Sequence, residues 1–273
     1  MKRSAIEQDQ KRRMEEFYLR AQLPMMQSME RTVCGCDYGG NSWTTQAEAE
    51  EICQLLGLSV GLKLLDVGAG SGWPGLYMAD QSGCDVTLVD LTCVGLQIAA
   101  ERAARDSISG TSWISVADAS MLPFAAGSFD AISHSDLLCC LPRKGETLTS
   151  CRDALSDFGR MVFTVISVVS GLSPDDYARA VACGPDFVES PVGYAELLQQ
   201  TGWQVLECRD ITREYTVSCR RQLQADCERE EELRQIMDQV EIEERQNDSQ
   251  SRFIALADGL LRRELFVTTR AEE

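Results

Sequence analysis

The chain has 273 residues, 44% of them apolar and 25% charged, which is the composition of a globular protein with a core large enough to need no staples. Lys and Arg number 26 against 43 Asp and Glu, a formal charge of -17 that disfavours a nucleic-acid partner and an anionic membrane surface. No apolar stretch approaches the length needed to span a bilayer, and the start, MKRSAIEQDQKRRMEEF, lacks the apolar run of a secretory signal, so a cytoplasmic protein is expected.

In chain order, residues 5–22 carry Ile6, Met14, Phe17 and Ala21 among charged residues, an amphipathic helix that Pro24 is expected to stop. Residues 34–44 (CGCDYGGNSWT) read as a loop, and Gln46–Leu56 as a second helix. Five strands are then expected at Lys63–Val67, Val86–Asp90, Ser112–Val116, Ala131–His134 and Met161–Ser167. Helical segments such as 95–105 and 148–155 lie between them, so the sheet should be parallel with crossover helices. Beyond residue 168, Pro174, Pro185 and Pro191 suggest a loop-rich stretch. A short helix at Tyr194–Gln200 and a strand at Gln204–Cys208 follow. Residues 216–246 read as a long charged helix or helix pair, with Leu233, Ile236, Met237 and Val240 on one face and i,i+4 pairs Glu230–Arg234 and Glu241–Arg245. A strand around Glu264–Thr268 closes the chain.

The segment Leu64–Gly75 (LLDVGAGSGWPG) is a buried strand followed by Gly68, Gly70 and Gly72. Such a turn lets a backbone approach a ligand at the carboxyl end of a strand, where open α/β sheets bind ligands. The triple Gly70, Gly72, Gly75 also fits a dinucleotide fingerprint. Asp66 discriminates: a carboxylate repels a pyrophosphate and attracts an ammonium, which favours a cationic nucleoside over NAD. Asp90, ending the second strand, is placed to accept two hydrogen bonds from a ribose diol. Asp118, followed by Ala119 after the third strand, could accept from an adenine amino group between apolar neighbours.

Asp66, Gly68, Gly70, Gly72, Asp90, Asp118 and Ala119, together with Ser128–Ile132, resemble the class I S-adenosylmethionine-dependent methyltransferases. The resemblance is strongest over residues 60–170. It implies an α/β Rossmann-like seven-stranded sheet with an antiparallel last strand, an N-terminal helical cap (1–60), and a methyltransferase domain (61–273) carrying a helical insertion at about 214–258. It also implies S-adenosylmethionine as cofactor and methyl transfer to a small-molecule acceptor.

The fourth-strand exit, Ser133–Pro142, is similar to the corresponding segment of phosphoethanolamine and glycine/sarcosine methyltransferases. The resemblance implies an amine acceptor, with Asp136 holding an ammonium or acting as a base; a Cys, Cys140, stands where that group has a His. His134, the only histidine, should share a strand face with Asp136 and is a second candidate base. Tyr38, in the cap loop, is the candidate gating or proton-relaying phenol, with Trp43 as an aromatic wall. A thiol, hydroxyl or carboxylate acceptor, and a non-catalytic binding protein on the same fold, stay open. The twelve cysteines include no C-x-x-C pair, so reduced, mostly buried thiols and no metal are expected; Cys34, Cys36, Cys139 and Cys140 form the one arrangement that could make a thiol cluster.

Overall fold

The computed structural model describes residues 3–271. Three helices come first: α1 (Ala5–Ala21), α2 (Pro24–Cys34) and α3 (Gln46–Leu56). Then follow β1 (Lys63–Val67), α4 (Gly75–Ser82), β2 (Asp85–Asp90), α5 (Cys93–Asp106), β3 (Ser112–Val116), β4 (Phe129–Ser135), α6 (Lys144–Ala154) and β5 (Leu155–Val168). The last third holds α7 (Pro174–Cys183), α8 (Tyr194–Gln200), β6 (Trp203–Asp210), α9 (Thr212–Glu228), α10 (Glu230–Leu233), α11 (Gln239–Ala257) and β7 (Leu261–Arg270).

The seven strands form one sheet in the order β3-β2-β1-β4-β5-β7-β6. Strands β1 to β5 pair in parallel, and β7 runs antiparallel between β5 and β6. This is the Rossmann-like sheet that the resemblance implies. Alternation along β1 divides the core: Leu64 packs with α3, α4 and α5, while Leu65 and Val67 face the opposite layer with α6 and α8. The order reversal at β1/β4 opens a crevice at the strands' carboxyl ends, above the glycine turn.

Local chemistry accounts for most helix boundaries. Ser4 and Glu7 close a reciprocal capping box on α1, Thr45 and Glu48 on α3, and Asp238 and Glu241 on α11. Two prolines act differently from expectation. Pro24 begins α2, and Pro174 begins α7 behind an Ser173 N-cap, because the first helical turn needs no N–H from its first residue. The long charged segment breaks into α9, α10 and α11. Leu233 and Met237 turn inward, but Val240 is exposed, so the four expected apolar positions do not share one buried face. Glu230 and Arg234 do pair. Glu241 instead pairs with Arg20 of α1, and Arg245 with the buried Asp226 of α9, since tertiary partners displace the i,i+4 contact.

Candidate active site

A small cavity of about 130 Å³ lies at the carboxyl ends of the strands. Gly68, Asp90, Ala119 and Leu137 line it, with Gln10 of α1 as part of its roof. Gly68, Gly70 and Gly72 all take positive φ, as the turn between β1 and α4 requires. The turn is crowded from above: a Cβ on Gly70 would stand 2.4 Å from the Tyr18 hydroxyl. Helix α1 therefore packs directly on the glycine turn, and Gln10 Nε2 donates to the Cys140 carbonyl at 3.2 Å.

Asp90 sits where expected, but much of its accepting capacity is already used. Gly70 N–H donates to Oδ2 at 2.9 Å, and the Thr92 N–H and hydroxyl both donate to Oδ1 at 2.7 Å. A carboxylate has about four lone-pair sites, so one is left on Oδ2. That accommodates one ribose hydroxyl rather than the two expected. Asp118 is more heavily engaged. Its Oδ1 accepts from the Ser120 N–H and hydroxyl, and its Oδ2 accepts from Arg143 at 2.7 Å and Arg3 at 3.4 Å. Burial opposes its charge, but Ser120 and the two arginines outweigh it and hold the carboxyl below its ordinary range. An adenine amino group would have to compete with the arginines for it.

Asp66 does not reach this cavity. It is buried beneath the glycine turn and accepts from Gly75 N–H, at the start of α4, at 3.1 Å. Burial raises its pKa to about 7, with the Gly75 bond opposing the shift. The expected direct contact with a ligand ammonium is replaced by support of the turn from below.

A second cavity, of about 450 Å³, lies between α1, α2, the loop before α3, and helices α9 and α11. Met14, Phe17, Met29, Val33, Trp43 and Met237 make up much of its apolar lining. Helix α1 walls both cavities, with Glu7 and Gln10 on the smaller, beside Arg3 just before the helix, and Met14 and Phe17 on the larger. Glu30 of α2 lies on its wall. The carboxylate accepts from the Gly39 and Gly40 N–H groups at 2.6 and 3.1 Å and so fastens the cap loop; burial raises its pKa against those bonds.

The three expected acceptor residues line neither cavity. Asp136, at the end of β4, is buried and has a positive φ of 51°. Both its oxygens accept from Arg263 Nε, at 2.9 and 3.1 Å. The same arginine, fully buried on β7, donates to Glu48 at 2.9 Å and to the Thr44 and Thr164 hydroxyls at 3.0 and 3.1 Å. Burial works against its charge, but Asp136 and Glu48 more than offset this and raise its pKa. The carboxylate is thus paired within the fold, buried, and away from both cavities. His134 lies in the sheet, stacked on Phe163 with centroids 4.5 Å apart, and neither ring nitrogen has a partner among the described residues. Burial lowers its pKa to about 3, so it stays neutral inside the sheet. Tyr38 packs on Trp73 at 5.1 Å beneath the Arg102 guanidinium at 4.0 Å. Its pKa is pushed up to about 12 by burial, partly opposed by Arg102, which does not suit a proton relay. Its neighbour Trp43 does line the larger cavity.

All twelve cysteines are free thiols. Cys34 and Cys36 pack with Ala49 and Trp73, whereas Cys139 packs with Leu148 and Phe163 in a different cluster. Among the described residues no group of His, Cys, Asp and Glu could hold a metal ion.

Residues 65–163 match the family described as "Methyltransferase domain". They are a methyltransferase domain. The matched stretch runs from the glycine turn through Asp90 and Asp118 to β5, so most of the smaller cavity's lining belongs to it. Relatives of this methyltransferase domain include the methyltransferase GfsG of Streptomyces halstedii, 28% identical over 171 residues, covering 60% of this chain and 61% of that one. Another is the 27-O-demethylrifamycin SV methyltransferase of Amycolatopsis mediterranei, 27% identical, covering 60% and 62%. The matched region thus spans about three fifths of the length of these relatives. The fold is shared with Haemonchus contortus phosphoethanolamine N-methyltransferase 2 (TM-score 0.76, 18% identity, 95% of this chain and 60% of that one). It is shared equally with the cyclopropane synthase MmaA2 of Mycobacterium tuberculosis (TM-score 0.76, 14% identity, 94% and 98%).

Proposed function

We propose that the protein transfers a methyl group from S-adenosylmethionine to a small-molecule acceptor held in the larger cavity. The observation that carries this reading is the smaller cavity, where the glycine turn and Asp90 meet inside the matched methyltransferase domain. The residues there fit the cofactor. Gly68 bares backbone at the cavity wall, Asp90 keeps one free acceptor site for a ribose hydroxyl, and Ala119 and Leu137 offer apolar surface to a base. When bound, the cofactor supplies an activated methyl on a sulfonium, so the chain's own task is alignment and exclusion of water. Gly70 and Thr92 fix the Asp90 carboxylate, Asp66 fixes the turn from below, and α1 with Tyr18 closes it from above. In this reading residues 1–60 act as the cap over both cavities, and the insertion at about 214–258 forms the outer wall of the larger one.

The amine acceptor rested on an open Asp136, and Arg263 removes that support. A hydroxyl fits the same cavity, and the name of one relative, the 27-O-demethylrifamycin SV methyltransferase, points the same way. Transfer of labelled methyl from S-adenosylmethionine, read on an alcohol and an amine of the same ten-carbon skeleton, tests the reading. Label in the alcohol supports hydroxyl transfer, and label in the amine alone restores the nitrogen acceptor. Label in neither, across a wider panel of hydroxyl and amine compounds, contradicts methyl transfer.

A further inference from the structure

The larger cavity has a chemical character of its own. Its floor is apolar and adaptable: Met29 and Met237 belong to a buried cluster with Leu233 and Ile242, and Phe17 and Trp43 add flat aromatic surface. Three of its four arginines are already in ion pairs. Arg13 pairs with Asp186 at 2.8 Å, Arg20 with Glu241 at 2.8 Å, and Arg245 with Asp226 at 2.8 Å. A fourth, Arg252, lies over the Trp43 ring at 5.6 Å. The Glu30 carboxylate is held by the Gly39 and Gly40 N–H groups. A phosphate or carboxylate entering this space would give up its hydration and meet the Glu16, Glu241, Glu244 and Asp248 carboxylates on the same lining. An apolar skeleton would instead replace water on the methionine and aromatic surface at no such cost.

We infer that the acceptor is a neutral molecule with an extended apolar body, and that phosphorylated or carboxylated small amines are excluded. Met29, Met237 and Trp43 set this specificity by contact with the skeleton. The inference rests on the methyltransferase reading for the word acceptor, but the character of the cavity can be tested without turnover.

The probe is the neutral dye N-phenyl-1-naphthylamine, added to the full chain and read by its fluorescence. Saturable binding displaced by 1-decanol, but not by millimolar phosphoethanolamine, is expected. Met29→Lys places a charge on the floor and should weaken the dye by at least about tenfold. Val60→Lys, on a residue already 82% exposed, should leave it unchanged. If Met29→Lys fails to fold, the displacement series on the unmodified protein decides alone. Absence of saturable binding, or displacement by phosphoethanolamine, overturns the inference. Calorimetry with S-adenosylmethionine on the same sample separates the two claims: dye binding without cofactor binding would sink the methyltransferase reading and leave the apolar site standing, whereas cofactor binding without dye binding would do the reverse.

Discussion

Arg263 on β7 holds Asp136 at the end of β4 through a buried ion pair, with Nε 2.9 and 3.1 Å from the two carboxylate oxygens. The guanidinium also reaches Glu48 of α3 and the hydroxyl of Thr44 in the cap loop. One side chain therefore ties α3 and the cap loop to β4 and β7. Removing one partner of such a pair strands an uncompensated buried charge at a cost of about 3–5 kcal/mol. Arg263→Met should lose stability on that scale in urea unfolding. Adding Asp136→Leu should recover only part of this, because the Asp136 charge leaves with its partner while the buried Glu48 carboxylate stays without one. An unchanged urea midpoint in Arg263→Met would show that Asp136 is not held by this contact.

His134 is expected to have no part in catalysis. The ring continues an aromatic stack, since Phe163 also stacks on Phe266 with centroids 5.1 Å apart. His134→Phe removes two unpartnered buried nitrogens and should keep activity per folded molecule unchanged. A well-folded His134→Phe protein with no turnover would return the residue to the site.

His134 and Asp66 should tilt stability in opposite directions over one pH range. The histidine titrates near 6.5 when unfolded and about 3 when folded, so the unfolded chain binds the extra proton between those values and stability rises with pH there. Asp66 titrates near 3.8 unfolded and about 7 folded, so the folded chain binds the extra proton and stability falls as pH rises through that window. Each slope approaches about 1.4 kcal/mol per pH unit, and between pH 4 and 6.5 they oppose. Relative to the unmodified protein, the Tm of His134→Phe should decline as pH rises through this range, and that of Asp66→Asn should climb. Parallel Tm profiles for all three proteins would show that neither group is perturbed by burial as described.

Asp118 accepts from Arg3 at 3.4 Å and Arg143 at 2.7 Å in the place proposed for the adenine amino group. Arg3 is partly exposed, and pairs of that kind contribute less than about 1 kcal/mol. Arg3→Ala should therefore tighten S-adenosylmethionine by about two- to fivefold in calorimetry, by freeing one acceptor site. Weaker binding would mean that Arg3 holds the cofactor instead of competing with it.

The strands were legible because their signals are local. The apolar run of β1, the glycines behind it and the Asp that ends β2 each follow from neighbouring residues. Helix α2 was missed because Pro24 was read as a stop, although proline serves equally at a first turn. The residues around the smaller cavity were legible for the same local reason, down to Asp90 and Asp118, which line it. The pairing of Asp118 was not: Arg3 lies 115 positions from Asp118, and Arg143 lies 25 positions away. On the acceptor side, the pairing of Asp136 was not legible because it depends on one tertiary contact across 127 positions, from Arg263. A signal existed in the closing strand, where period 2 puts Arg263 on the same face as Leu261 and Leu265 and so demands a buried acid. Tyr18 and Glu30 carried no comparable mark, since helix periodicity gives a tyrosine or glutamate beside a cavity the same pattern as one at any helix boundary.

Calorimetric titration of the full chain with S-adenosylmethionine, repeated on Asp90→Ala, tests the central claim most directly. Saturable one-to-one binding to the unmodified protein, lost or weakened by at least about tenfold in a folded Asp90→Ala, is the predicted result; the loss of hydrogen bonds to a charged group makes a change of that size. No binding to the unmodified protein, or equal binding to both, would contradict the placement of the cofactor over the glycine turn and, with it, the proposed methyl transfer.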